Sequence, residues 1–311
     1  MRTAFFKALL ESARRDPRIH LVTGDLGFSV VEAFAAELPA QFLNAGVAEQ
    51  NMTGIAAGLA LSGNIVFTYS IGNFPILRCL EQIRNDVCYH KANVKIVSVG
   101  GGFAYGSLGM THHATEDLAI MRALPNMTVL APADGREVTA AVRAMIERPG
   151  PCYLRLGRNG EPVLHENDFS FEIGRAIEMR SGNDVTIIAS GSILALGLQA
   201  AKILSQEGIE ARVLSMPSIK PFDEAAVIRA ASQTRALISV EEHSVVGGLG
   251  SAVAEVLLAK DLGRTPFRSL GVPDQFCPSA GSQEYLMEKC GLTVSRIVET
   301  ARTLLSNLVP A

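Results

Sequence analysis

Short runs of β-branched and apolar residues alternate along the chain with stretches in which apolar positions recur every three or four residues. A run that is apolar on both sides reads as a strand of a parallel sheet, and the wider spacing as an amphipathic helix packed against it. In the first half the pattern predicts strands at IHLVTG (19–24), NIVFTYS (64–70), VKIVSVG (94–100), MTVLAP (127–132) and CYLRLG (152–157). Helices are predicted near 3–14, 29–37, 47–62, 75–89, 116–123 and 135–147. The last opens on Asp134 with Glu137 three residues on, a capping-box arrangement, and stops before RPGP. The polar, poorly periodic RNGEPVLHENDFSFE (158–172) interrupts the alternation. It resumes with strands DVTIIAS (184–190), ARVLSM (211–216) and ALISVEE (236–242), a helix to about Gln206, helices near 223–232 and 249–260, and a closing helical stretch. The prediction is an α/β protein of two consecutive domains, residues 1–160 and 176–311, joined by a linker at 161–175. Each domain should be a mostly parallel sheet flanked by helices.

One position departs from this pattern. Between Glu37 and Arg78 the only charged side chain is Glu49, inside NAGVAEQNMTGIAAGLALSG (44–63), among small apolar residues suited to close helix packing. A carboxylate is costly in such surroundings unless it is hydrogen-bonded. Two readings are open. Backbone amides at a helix N-terminus hold it, or it stands in a dry pocket to meet a ligand nitrogen, where a low dielectric strengthens the contact.

Composition removes several function classes. With 48% hydrophobic and 19% charged residues among 311, the chain can bury an ordinary core. A net charge of −3 makes no case for nucleic acid or an anionic membrane surface. Five widely spaced cysteines (Cys79, Cys88, Cys152, Cys277, Cys290) read as free thiols of a reducing compartment, so a cytoplasmic location is expected. Glu11, Arg14 and Arg15 interrupt any signal-type core at the start, and Pro39, Asn44, Gln50, Asn51, Asn64, Asn73 and Pro75 break the weakly charged region 38–77. No run approaches the roughly 20 apolar residues of a membrane-spanning helix.

Ligands of parallel α/β sheets sit at the carboxyl ends of the strands. The loops there are GDLGFS, YSIGNF, GGGFAYGSLGMTHH and GRNG, all in the first domain. The glycines at 100–102, 106 and 109 would either cradle a phosphate or form a flexible loop, and they match neither nucleotide-binding spacing. In THHATED, His112 and His113 precede the predicted helix and do not share a face, so no metal site is predicted, while Glu116 and Asp117 suit a helix N-terminus. His112 is a candidate for substrate contact.

FLNAGVAEQNMTGIAAGLALSG (42–63) and THHATEDLAIMRALPNMTVLAPADGREV (111–138) resemble the pyrimidine-binding domain of the transketolase family of thiamine-diphosphate enzymes. SIKPFDE (218–224), VEEHSVVGGLGS (240–251) and LGVPDQFCPSAGSQEYL (270–286) resemble that family's C-terminal domain, so the likeness runs through the whole chain in order. The resemblance implies that Glu49 hydrogen-bonds N1′ of the cofactor's aminopyrimidine and stabilises the imino tautomer, whose N4′ takes the C2 proton of the thiazolium. It further implies a substrate-site role for His112, a place near the cofactor for Asp25, and contacts to a substrate phosphate from Ser29, Arg2 and Arg158. Two arginines and a hydroxyl suit a tetrahedral anion, although residue 2 of a chain is more often a loose terminus. Phe74 and Tyr69 are candidates for packing the pyrimidine ring, with core packing as the alternative.

Departures from the family pattern narrow the expectation. Sugar-using transketolases carry EDGPTH where this chain has SLGMTH, so Leu108 stands in place of a hydroxyl-reading aspartate, and Gly100 in place of a phosphate-contacting histidine. The family's GDG…N motif for Mg²⁺ and the diphosphate has no counterpart, since Gly24-Asp25-Leu26-Gly27 lies in the loop already assigned. The expectation is therefore half of a split transketolase: a chain that binds no metal itself and takes thiamine diphosphate and Mg²⁺ together with an N-terminal diphosphate-binding subunit, in an α2β2 assembly. It would transfer a two-carbon ketol unit from a ketose, phosphorylated in the leading reading, to an aldehyde. The alternatives are the β subunit of a 2-oxoacid dehydrogenase or decarboxylase, and a non-catalytic paralogue. For the C-terminal domain, the EEHSVVGGLG loop is a candidate for dimerisation or for the site entrance.

Overall fold

The computed structural model describes residues 1–158 and 160–307. In its first half the strands are β1 (Ile19–Thr23), β2 (Phe42–Asn44), β3 (Ile65–Ile71), β4 (Val94–Val99), β5 (Thr128–Leu130) and β6 (Cys152–Leu156). The second half adds β7 (Ile177–Arg180), β8 (Val185–Ser190), β9 (Ala211–Ser215), β10 (Ser218–Lys220), β11 (Ala236–Ser244) and β12 (Phe267–Val272). The helices are α1 (Arg2–Ala13), α2 (Glu32–Glu37), α3 (Glu49–Leu61), α4 (Leu80–Gln82), α5 (Asp117–Ala123) and α6 (Gly135–Glu147), then α7 (Leu194–Gln206), α8 (Glu224–Gln233), α9 (Leu249–Ala259), α10 (Gln283–Lys289) and α11 (Val294–Ser306).

These strands form two sheets, ordered β10-β5-β6-β4-β3-β1-β2 and β12-β11-β8-β9-β7. All pairings are parallel except those of β10 with β5 and β7 with β9. Two mostly parallel sheets flanked by helices are what the alternation predicts. The four strands it misses, β2, β7, β10 and β12, are the four sheet edges. Three of them are only half-buried or exposed along most of their length, and β10 spans three residues, so none carries the continuous apolar run of an interior strand.

Alternate side chains of each interior strand enter opposite cores. Phe67 and Tyr69 of β3 join Phe5 and Leu9 of α1 and Val142 of α6, whereas Val66 joins Met52 and Ala56 of α3 on the other face. Two predicted helices are shorter or less regular than their periodicity suggests. The 29–37 helix begins only at Glu32, because Asp25, Gly27 and Ser29 hold left-handed backbone with φ of 60°, 101° and 70°. The 75–89 helix consists of a 3₁₀ turn (Leu77–Cys79), the single turn α4, and a π-helical segment (Ile83–Tyr89).

The halves of the chain interlock. β10 belongs by sequence to the second half yet completes the first sheet, with Ser218 opposite Leu130 and Lys220 opposite Val129. Lys220 also donates to the carbonyls of Arg122 and Leu124 at 2.9 and 2.6 Å. The polar stretch after β6 is docked by side chains of α6 as well as by Leu164 and Phe171, which pack against the two cores. Asp134, the N-cap of α6, accepts from the amides of Arg136 and Glu137 and, with its other oxygen, from those of Leu164 and His165. Glu137 accepts from the Ala133 amide and binds His165 Nε2 and Ser215 Oγ at 2.8 and 2.7 Å. The expected capping pair is thus present, but its glutamate ties both halves together.

Asp134→Ala should therefore cost about 2–4 kcal/mol, since it strips several amides of their acceptor at once. The expected reading is a lowered urea midpoint with an unchanged slope.

Candidate active site

Helix α3 starts at Glu49, and the preceding Ala48 offers no capping side chain. The carboxylate thus occupies the positive end of the helix. It is 1% exposed and each of its oxygens has a donor, which answers the cost of burying it. Oε1 accepts from Ser70 Oγ of β3 at 3.2 Å, and Oε2 from Arg78 Nη1 at 3.0 Å. Gly24, at the end of β1, closes the floor: a Cβ there would lie 3.5 Å from Glu49 Cγ. Arg78 reaches in from a position 47% exposed, with its guanidinium 4.5 Å from the centre of the Phe74 ring. The Phe74 ring in turn meets His112 edge-on at 5.0 Å. Sequence reasoning misses Arg78, although it is the charge that ends the uncharged stretch around Glu49.

His112 is half-buried on a 3₁₀ turn (Met110–His112), its Nδ1 3.1 Å from Thr111 Oγ1. His113 behind it is buried against the edge of Phe103, and that burial lowers its imidazole pKa. Asn73 donates to the His113 carbonyl, so the segment carrying Phe74 and Arg78 also holds the histidine loop. Between them opens a cleft of about 480 Å³, lined by Phe74, Arg78, Met110, His113 and, from the second half of the chain, Phe276.

The second half grips the same loop from the other side. Glu242 of β11 accepts from the Phe103 amide at 2.6 Å and from Gln283 Nε2 at 2.8 Å. Ser244 donates its amide to the Thr115 carbonyl at 2.7 Å, and His243 Nε2 accepts from the Ala119 amide at 3.2 Å. Arg155 of β6, entirely inside, donates to the carbonyls of Ala114 and Glu242 and pairs with Asp117 at 3.0 Å. The EEH of EEHSVVGGLG, expected at a dimer contact or site entrance, is therefore a buried strand that clamps the histidine loop. The glycine run has the same origin. A Cβ at Gly100 would strike the Tyr105 ring, one at Gly101 the Arg155 side chain, and one at Gly102 the Glu242 carboxylate.

Of the remaining candidates, Asp25, Ser29 and Arg158 occupy loops at the same sheet end. Asp25, exposed, exchanges hydrogen bonds with Asn44 at 2.9 and 3.0 Å. Ser29, also exposed, gives its amide to Glu32 at 2.7 Å. Arg2 is ordered in α1, with Nη2 3.4 Å from the Phe28 carbonyl, and Arg158 is exposed over the Tyr105 ring. Tyr69 corrects the expectation that it packs a pyrimidine ring. Ser70 turns toward Glu49, so its neighbour Tyr69 faces the opposite side of the sheet, 1% exposed between Phe5 and Phe6. Among the described residues no group of three or more His, Cys, Asp or Glu could hold a metal ion, and no helix is long and apolar enough to cross a membrane.

Comparison with known proteins covers both halves. Residues 1–161 match the family model "Transketolase, pyrimidine binding domain", and residues 174–297 match "Transketolase, C-terminal domain". The chain is 44% identical to a subunit of the apulose-4-phosphate transketolase of Phocaeicola vulgatus, over 96% of either chain. It is 41% identical to the 6-deoxy-6-sulfo-D-fructose transketolase subunit SqwH of a Clostridium species, over 97% of this chain and 93% of that one. A solved structure described as "Split gene transketolase, inactive beta4 tetramer" is 44% identical, with a TM-score of 0.89 over 98% of each chain.

Burial pushes the Glu242 carboxyl from its ordinary 4.5 up to about 7, against the hydrogen bond from Phe103 and the charge of Arg155. Ionising it costs more in the folded than in the unfolded chain. Its contribution to stability is therefore intact below about pH 4.5 and is lost as the pH climbs to about 7. Glu242→Gln should consequently gain about 2 kcal/mol on the unaltered protein between about pH 5 and pH 7.5, read from paired urea midpoints. A difference that does not vary with pH would refute the assignment.

Proposed function

The chain belongs to the transketolase family, and from that premise we propose that it is the pyrimidine-binding chain of a two-chain transketolase, moving a two-carbon ketol unit from a ketose to an aldehyde. The observation that carries this reading is the Glu49 constellation: a buried carboxylate linked through Arg78 to an aromatic ring and a histidine. The relatives' names add to it, since two describe transketolase subunits and a third a split gene transketolase.

The residues fit an aminopyrimidine. Each oxygen of the Glu49 carboxylate has one protein donor, which leaves acceptor capacity for a ring nitrogen. Phe74 offers an aromatic face beside it. Thiamine diphosphate, when bound, supplies the electron sink that lets the ketol carbon pass between carbonyl groups. Glu49 would hold a proton at N1′ of the pyrimidine. Arg78 would keep the carboxyl oriented, and the apolar lining of α3 would keep competing water away. His112 would face the substrate carbonyl or hydroxyls as a hydrogen-bond partner.

Asp25 would lie near the cofactor, and Arg2, Ser29 and Arg158 would bind an anionic end of the substrate. A phosphate in one relative's name and a sulfo group in another's support that anion reading. Mg²⁺ and the diphosphate would be held by a partner chain in an α2β2 assembly; relatives named as transketolase subunits support the partner chain.

With the partner chain, Mg²⁺ and thiamine diphosphate supplied, the unaltered protein should transfer ketol units, and Glu49→Gln should lose at least 100-fold in kcat, on the order of 3 kcal/mol of barrier. Circular dichroism should show both folded alike. Full activity in Glu49→Gln would defeat the proposal.

A further inference from the structure

On the α1 side of the first sheet, across from Glu49, Tyr69 and Tyr105 stand at the edge of the core near the carboxyl ends of β3 and β4. Gly100 ends β4 with φ of 91°, and a Cβ at this position would lie 2.1 Å from one ring carbon of Tyr105 and 2.3 Å from another. No side chain from position 100 can therefore enter the site; the Tyr105 ring stands there instead. Tyr105 is 8% exposed, and among the described residues its hydroxyl makes no hydrogen bond. The Arg158 guanidinium stacks 5.0 Å from its ring centre, exposed on its outer side.

Beneath lies Tyr69, whose buried hydroxyl has no partner among the described residues and feels both the charge of Arg2 and the phenol of Tyr105. An unpartnered buried hydroxyl calls for an explanation, and an anion is a fitting one where the Tyr69 phenol feels the charge of Arg2 and its neighbour Tyr105 carries the Arg158 guanidinium over its ring. The nearby carboxylates are already engaged. Glu161 is paired with the α-amino group of Met1 at 2.9 Å, and Glu32 accepts the Ser29 amide.

We propose that the Tyr105 hydroxyl is a substrate-binding donor that grips the phosphate of a sugar phosphate together with Arg158 and Arg2. It rests on the anion-binding reading above and adds to it the group that occupies the space denied to residue 100. The ring keeps Gly100 and Arg158 in place, so Tyr105→Phe removes the donor without opening a void.

The test is calorimetric titration of inorganic phosphate into the full chain, with no turnover involved, so it is independent of whether ketol transfer has been reconstituted. The unaltered chain should bind phosphate, and Tyr105→Phe should bind it about fivefold more weakly or worse, as expected for loss of one bond to a charged group. Tyr285→Phe, on α10, should bind as the unaltered chain does. Equal affinity in Tyr105→Phe and the unaltered chain, no phosphate binding by the unaltered chain, or equal weakening in Tyr285→Phe would each overturn the proposal.

Discussion

The geometry of the site depends on one buried guanidinium. Arg155 lies in the joint between the two sheets, where it pairs with Asp117 and donates to carbonyls of the histidine loop and of β11. Asp117 accepts in addition from the Tyr153 hydroxyl at 2.6 Å. A buried charge is tolerated only when it is paired, and here its partners come from both halves of the chain. Docking of the second sheet and placement of the His112 loop are thus a single event. The C-terminal domain takes part in the site by holding this loop and by lining the cleft with Phe276.

Glu49 poses the same problem at smaller scale. Its charge is balanced by a helix N-terminus, one hydroxyl and one arginine that is itself half in water. Arg78 is fastened by stacking on Phe74, and Phe74 touches His112. Carboxylate, aromatic ring and histidine therefore form a continuous run of contacts. Ser70 and Tyr69 face opposite sides of β3, so Glu49 and the Tyr69 ring stand on opposite faces of the sheet.

Much of this is legible in the chain. Interior strands are visible because both of their faces are apolar, and Glu49 because it is a lone charge in an uncharged stretch. Arg78 carries the same signal from the far end of that stretch, yet nothing local ties it to Glu49. Three edge strands are invisible since they are half-buried or exposed along most of their length, and the fourth, β10, because it is only three residues long. Tyr69 is misplaced for want of the strand's period of two: once Ser70 faces α3, Tyr69 cannot. The segment after β6 looks like a tether because carboxylates of α6 are among its anchors, a form of attachment that hydrophobic periodicity does not register. Glycines 100–102 announce a special backbone, but two of the three side chains they make room for lie far away in sequence.

The crossing of β10 into the first sheet has a consequence for synthesis on the ribosome. β5 cannot obtain its outer neighbour until residues 218–220 have been made, so the first half carries an unpaired edge while β7, β8 and β9 are being translated. A chain divided after β6 would keep that bare edge permanently. The two halves are consequently one unit of folding.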